Sequence, residues 1–177
     1  MLTGGRRQVL SNPSPLSIRI HGMRSALVAL VLVSGAIPQA QPASKPHETA
    51  HLIVTTSTKA PANAARRELY LDVTPKPRLH VYAPGQAGYI VVTLTLERDA
   101  RFSAAPAQFP RPESILFVPL NERQLVYSKP FRITQPITLA RKGGAPLIVK
   151  GTLRYQACDD KVCFLPKTVP VDWRITP

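Results

Sequence analysis

From residue 51 onward, apolar and polar residues alternate with period two, and almost no stretch keeps a helical period. The clearest run is "YIVVTLTLE", residues 89–97, where Ile90, Val92, Leu94 and Leu96 share one face and Tyr89, Val91, Thr93 and Thr95 the other. "PLIVKGTLRYQA" turns Leu147, Val149, Leu153 and Tyr155 inward, against Lys150, Thr152 and Arg154. "TVPVDWRI" turns Val169, Val171, Trp173 and Ile175 inward, against Asp172 and Arg174. Weaker runs are "HLIVTTST", "ELYLDVT", "LHVYA", "ILFVPL" and "FRITQPITL", punctuated by the turn signals "TPKP", "APGQAG", "FPRPE" and "RKGGAP". Strands with one apolar and one polar face belong to antiparallel sheets packed on a shared core. Some seven to nine short strands within about 125 residues predict an all-β, immunoglobulin-like antiparallel sandwich. The 19 prolines fit this reading, because helix interiors exclude proline.

The N-terminal region follows a different pattern. Arg19, His21 and Arg24 precede an apolar run from Ala26 to Val33, a breaker at Gly35 and Pro38, and small residues at Ala40 and Ala43. This is the order of a secretory signal peptide. The apolar run is well short of the ~20 residues that span a bilayer. Residues 1–43 are therefore expected to be an N-terminal extension plus signal peptide, with Met23 a candidate start. Residues 44–50 are expected to be a flexible lead-in and 51–177 the sandwich domain. The mature protein is expected to be periplasmic or otherwise extracytoplasmic, where disulfides persist. Anchoring by an uncleaved signal is the competing expectation.

The formal net charge of +13 invites a nucleic-acid reading. Beyond residue 43, 19 Lys and Arg stand against 10 Asp and Glu, but the bases are scattered singly. Only Arg66–Arg67 and Arg141–Lys142 are adjacent, and neither pair is interleaved with aromatics. The balance therefore reads as a solvated basic surface, with no nucleic acid as partner. Hydrolase chemistry finds no G-x-S-x-G and no paired acids except Asp159–Asp160.

The chemistry concentrates in "YQACDDKVCFLP", which holds both cysteines of the chain, Cys158 and Cys163. They are expected in the loop of a hairpin at the edge of the sandwich. As a staple the pair is inefficient: closing about six residues stabilises by roughly 2 kcal/mol, against roughly 4 for about sixty. As a zinc site it lacks two ligands, since His47, His51 and His80 are isolated. His80, in "LHVYA", reads as a hydrogen-bonded packing residue. No metal and no cofactor are expected. A redox pair fits compartment, spacing and place. No helix N-terminus lowers a thiol pKa here, and Asp159 and Asp160 disfavour a thiolate, so the pair would act as a passive shuttle. The alternative is a non-catalytic exported interaction module with a structural small-ring disulfide.

"GTLRYQACDDKVCFLPKTVPVDW" resembles the N-terminal periplasmic domain of the thiol:disulfide interchange protein DsbD. "PRLHVYAPG" resembles that family's early His/Tyr-containing strand, and "FPRPESILFVPLNERQLVYSKPFRI" its proline-rich middle followed by a strand bearing "VY". The resemblance implies an immunoglobulin-like sandwich with a redox-active disulfide between Cys158 and Cys163. It implies that Cys163 forms mixed disulfides with partners and Cys158 resolves them. Implied partners are a thioredoxin-like or membrane thiol–disulfide carrier as electron donor, and a periplasmic disulfide isomerase or cytochrome c maturation protein as acceptor, with no small-molecule substrate. Phe117, in the segment from Phe117 to Gln124, is the implied cap over the disulfide, and Tyr82 an implied lining residue. The family's full-length form continues into a membrane channel and a thioredoxin-like domain. The present chain is thus expected to be a stand-alone form, a protein-disulfide reductase component that is not self-sufficient.

Overall fold

The computed structural model describes residues 44–59, 65–141 and 145–176. The expected extension and signal peptide, residues 1–43, lie outside the described residues. The described residues form strands β1 (His47–Glu48), β2 (Leu52–Lys59), β3 (Arg66–Pro75), β4 (His80–Tyr82), β5 (Thr93–Leu96) and β6 (Phe102–Ala104). They continue as β7 (Glu113–Phe117), a 3-10 turn (Val118–Leu120), β8 (Glu122–Tyr127), β9 (Phe131–Leu139), β10 (Leu147–Tyr155), β11 (Ala157–Cys158) and β12 (Lys167–Ile175).

The strands form three sheets, ordered β1-β2-β3-β9-β6, β12-β10-β5 and β11-β4-β8-β7, and every named strand pair is antiparallel. The expected immunoglobulin-like sandwich is the fold found. The alternation read from the sequence supplies its core. Leu52, Val54, Leu69, Leu71, Val73 and Ile133 from the first sheet and Leu147, Val149, Leu153, Val169, Val171, Trp173 and Ile175 from the second share one buried cluster. Each such side chain contributes about 1.5–3 kcal/mol by leaving water. The Trp173 indole N–H donates to the Tyr70 carbonyl at 2.8 Å, a polar tie from β12 to β3 that satisfies the buried donor.

The β10–β12 ladder runs from Leu147↔Ile175 to Tyr155↔Lys167 and carries the connection that holds both cysteines, residues 156–166, at its end. β5 flanks β10 on the other side, with Gly151 opposite Leu96.

Two expectations about strands are corrected. Residues 89–97 do not form one strand: Thr93–Leu96 pair with β10, whereas Val91 bridges Tyr82 in the third sheet. The Val92 N–H donates to the Tyr82 carbonyl at 2.8 Å, so this run crosses from one sheet to the other. "ILFVPL" is also not one strand. It ends at Phe117, and Val118–Leu120 turn back through Asn121 in the left-handed region, φ 49°. Proline has no N–H to extend the ladder, and asparagine tolerates positive φ. β8, with the "VY" residues Val126 and Tyr127, then returns alongside β7.

A Cβ at Gly151 would lie 2.7 Å from the Thr95 carbonyl oxygen and 3.0 Å from Leu96 Cδ2. Gly151→Ala is expected to destabilise the domain by about 1–3 kcal/mol, as overpacking against fixed backbone does. Denaturant unfolding followed by the fluorescence of Trp173 measures this.

Candidate functional site: a buried and an exposed cysteine

Past Tyr155 the chain leaves the β10 sheet. Ala157 and Cys158 pair instead with Val81 and His80 of β4. A tight turn follows, in which the Asp159 N–H donates to the Val162 carbonyl at 3.0 Å. The Asp159 carboxylate accepts from the backbone N–H groups of Lys161 at 2.8 Å and Val162 at 2.7 Å. Cys163 comes back opposite Cys158, and the two are joined by a disulfide with their Cα atoms 4.0 Å apart. The Phe164 N–H then donates to the Ala157 carbonyl at 2.8 Å, and its ring lies against His51 at 4.6 Å. The cysteines do occupy the β10–β12 connection, but Cys158 is part of a strand pairing and is not in an open loop.

The two sulfurs have different environments. Cys158 is 1% exposed and packs with Tyr82 and Val126. Cys163 is exposed, and exposed apolar side chains stand on either side of it, Val162 at 54% and Leu165 at 79%. A disulfide sulfur carries no hydrogen, so the Tyr82 hydroxyl is the donor in its 3.7 Å contact with Cys163 Sγ. Burial, then the neighbouring Tyr89, pushes the Tyr82 phenol up to about 12, so it remains a donor across the neutral range.

Behind Tyr82 lies a group of polar side chains. The Tyr82 ring packs against that of Tyr89, the centroids 4.1 Å apart and the planes tilted by 30°. The Tyr89 hydroxyl donates to Glu122 at 3.1 Å and accepts from the Gln124 amide at 3.0 Å. Glu122 and Gln124 lie on β8, within the segment Phe117 to Gln124 expected to hold the cap, whereas Tyr89 comes from a distant stretch that no sequence spacing connects with the cysteines.

Phe117 ends β7, half-buried and paired with Glu122. Ile115, two residues before it, packs on the Tyr82–Cys158 cluster. His80 departs from its expected role: it is buried, yet its Nε2 has no hydrogen-bond partner. A pocket lined by Arg67, Arg101, Arg141, Leu147 and Ile175 lies away from both cysteines. Among the described residues no group of three or more His, Cys, Asp or Glu is placed to hold a metal ion.

A family model described as "Thiol:disulfide interchange protein DsbD, N-terminal" matches residues 49–173, which include β10, both cysteines and β12 as far as Trp173. The chain belongs to this family. The N-terminal periplasmic domain of ScsB from Proteus mirabilis has a similar structure, with a TM-score of 0.55 and 12% identity over 73% of this chain and 50% of that one. The present chain thus spans half the length of that ScsB domain, and at this identity the likeness shows the shared fold. The reduced N-terminal domain of Neisseria meningitidis DsbD aligns with a TM-score of 0.37 and 21% identity, covering 66% of this chain and 81% of that one. A comparison with curated proteins found no match. Membership of the DsbD N-terminal family and the Cys158–Cys163 disulfide together identify a thiol–disulfide interchange domain.

The backbone donors of Val162 and Lys161 hold the Asp159 carboxyl below its ordinary 3.8, with the Lys161 and Arg78 charges adding to this. Because the folded value is the lower one, the turn's stabilisation is complete above pH 3.8 and is lost as pH falls through the folded value. Asp159→Ala is therefore expected to speed amide exchange at Lys161 and Val162 at neutral pH. The wild-type protein should match the variant only in strong acid, as hydrogen exchange followed by NMR will show.

Proposed function

We propose that the domain carries reducing equivalents through the Cys158/Cys163 pair, from a thioredoxin-like or membrane thiol–disulfide carrier to oxidised periplasmic proteins. Acceptors of this class are disulfide isomerases and cytochrome c maturation proteins. The observation that supports the order of events is the difference in exposure between the sulfurs. In the reduced domain, Cys163 is the sulfur a protein partner can reach. Its thiolate attacks one sulfur of the partner's disulfide, expelling the other as a thiolate. Cys158, buried behind it, then attacks Cys163 Sγ and releases the partner's remaining sulfur. Two electrons and two protons' worth of thiol pass to the partner, and the ring disulfide re-forms. The Tyr82 hydroxyl, already donating to Cys163 Sγ, stabilises the thiolate that must form there. Val162 and Leu165 give the partner an apolar footing beside the reacting sulfur. Phe117 is the proposed cap, supported by the packing of its neighbour Ile115 on the cluster under the disulfide.

The proposed location is the periplasm, reached through the signal within residues 1–43, with residues 51–177 as the working domain. Among the described residues no helix is long and apolar enough to cross a membrane.

A Cys158→Ser variant is expected to hold partners as mixed disulfides on Cys163, and a Cys163→Ser variant to hold none. Non-reducing electrophoresis of periplasmic extracts reads both. A reduction potential below about −300 mV against glutathione would mark the bond as structural and overturn the shuttle.

A further inference from the structure

His80 stands directly across the β4–β11 ladder from Cys158. Residues opposite one another in an antiparallel pair share a face, with Cβ atoms about 5 Å apart. The imidazole meets the Tyr82 ring edge-on at 5.6 Å, and Tyr82 packs on Cys158 and touches Cys163. His80 is 9% exposed, and its Nε2 is buried without a hydrogen-bond partner. A buried polar atom is costly to leave unpaired, so a native structure that does so calls for a reason. The oxidised state has no hydrogen to offer this nitrogen. Reduction places an S–H on Cys158, on the same face.

Cys158 also needs a base. Its thiol sits among Tyr82, Val126 and the partly buried Val91 and Ile115, surroundings that raise a thiol pKa and disfavour the thiolate. Only the thiolate attacks a disulfide. We propose that His80 is the general base that deprotonates Cys158 when Cys158 resolves the mixed disulfide on Cys163. This role rests on the order of attack proposed above. The Cys158 thiol proton passes to His80 Nε2, and the Cys158 sulfur forms its bond to Cys163 Sγ. The bond between Cys163 Sγ and the partner sulfur breaks, and the partner leaves as a thiolate that recovers the proton from the imidazolium. The domain loses two electrons and the partner gains them.

The charged and titratable neighbours are compatible with this role. Burial holds the imidazole below its ordinary value, with the Asp159 charge opposing, so it is neutral and able to accept at pH 7. Asp159 itself is ionised beside the turn, with Arg78 nearby to offset it. Tyr82 on β4 and Tyr127 on β8 both have phenols raised by burial and remain uncharged.

The test uses the reduced full domain and dithiobis-nitrobenzoate, which releases a coloured thiolate at each exchange. The first release reports Cys163, and the second, from the mixed disulfide, reports Cys158. The second rate in the wild-type domain should vary little between the pKa of the imidazole and that of the thiol. In His80→Gln and His80→Phe it should fall about tenfold per unit of pH decrease, tracking the thiolate fraction, and be about 100-fold slower at pH 7. The first rate should be unchanged, and an unaltered Trp173 fluorescence should show that the variants fold. Glutamine keeps the polarity and approximate size but takes no proton, so a flat profile in His80→Gln overturns the proposal. Equal slowing of both releases also overturns it and leaves the shuttle standing. Absence of a first release from the wild-type domain overturns the shuttle and the role of His80 together.

Discussion

The short ladder between Ala157–Cys158 and His80–Val81 is the contact on which the site depends. It draws the chain out of the sheet that β10 belongs to and across to the small third sheet. That transfer buries one cysteine under Tyr82 and Val126 while its partner, five residues on, remains at the surface. Without the ladder the two sulfurs would sit in an open connection and would be chemically alike. With it, a symmetric bond acquires a reachable end and a protected end, which is what an ordered two-step exchange requires.

The frame that carries this contact owes little to the disulfide. A ring of about six residues constrains the unfolded chain by roughly 2 kcal/mol. The buried stripes of β2, β3, β10 and β12 far exceed that, and the Trp173–Tyr70 hydrogen bond ties β12 to β3 independently of the cysteines. The domain can therefore hold its shape while the bond opens and closes. Phe164, hydrogen-bonded to Ala157 and packed on His51, ties the far side of the small hairpin to the rest of the domain by contacts that do not involve the sulfurs.

Charge near the sulfurs is disposed of locally. The Asp159 carboxylate is spent on the N–H groups of its own turn, and Glu122 on Tyr89 and Gln86. The polar group in contact with the disulfide is thus an uncharged phenol that donates, and across the ladder from Cys158 stands His80, whose buried Nε2 has no partner. Thiolates formed in such a setting gain stabilisation from directed hydrogen bonds and not from a general positive field, despite the basic balance of the whole chain.

The sequence by itself determined the all-β class, the inward stripes of β10 and β12 and the place of the cysteine pair between them. Alternation at period two can build only half-buried strands, and both cysteines lie in one connection. The resemblance of "PRLHVYAPG" to the family's early strand singled out Tyr82. The sequence did not reveal that the run at 89–97 divides between two sheets, because alternation is the same whichever neighbour a strand chooses. It also did not reveal the difference between the sulfurs. Cys158 and Cys163 have similar neighbours in the chain, and their burial is set by β4, some eighty residues earlier. His80 read as an ordinary packing residue for the same reason: the sequence does not show which residue lies opposite a lone histidine in a strand. Which strand lies opposite is a matter of long-range pairing, and that was decided by the tertiary structure alone.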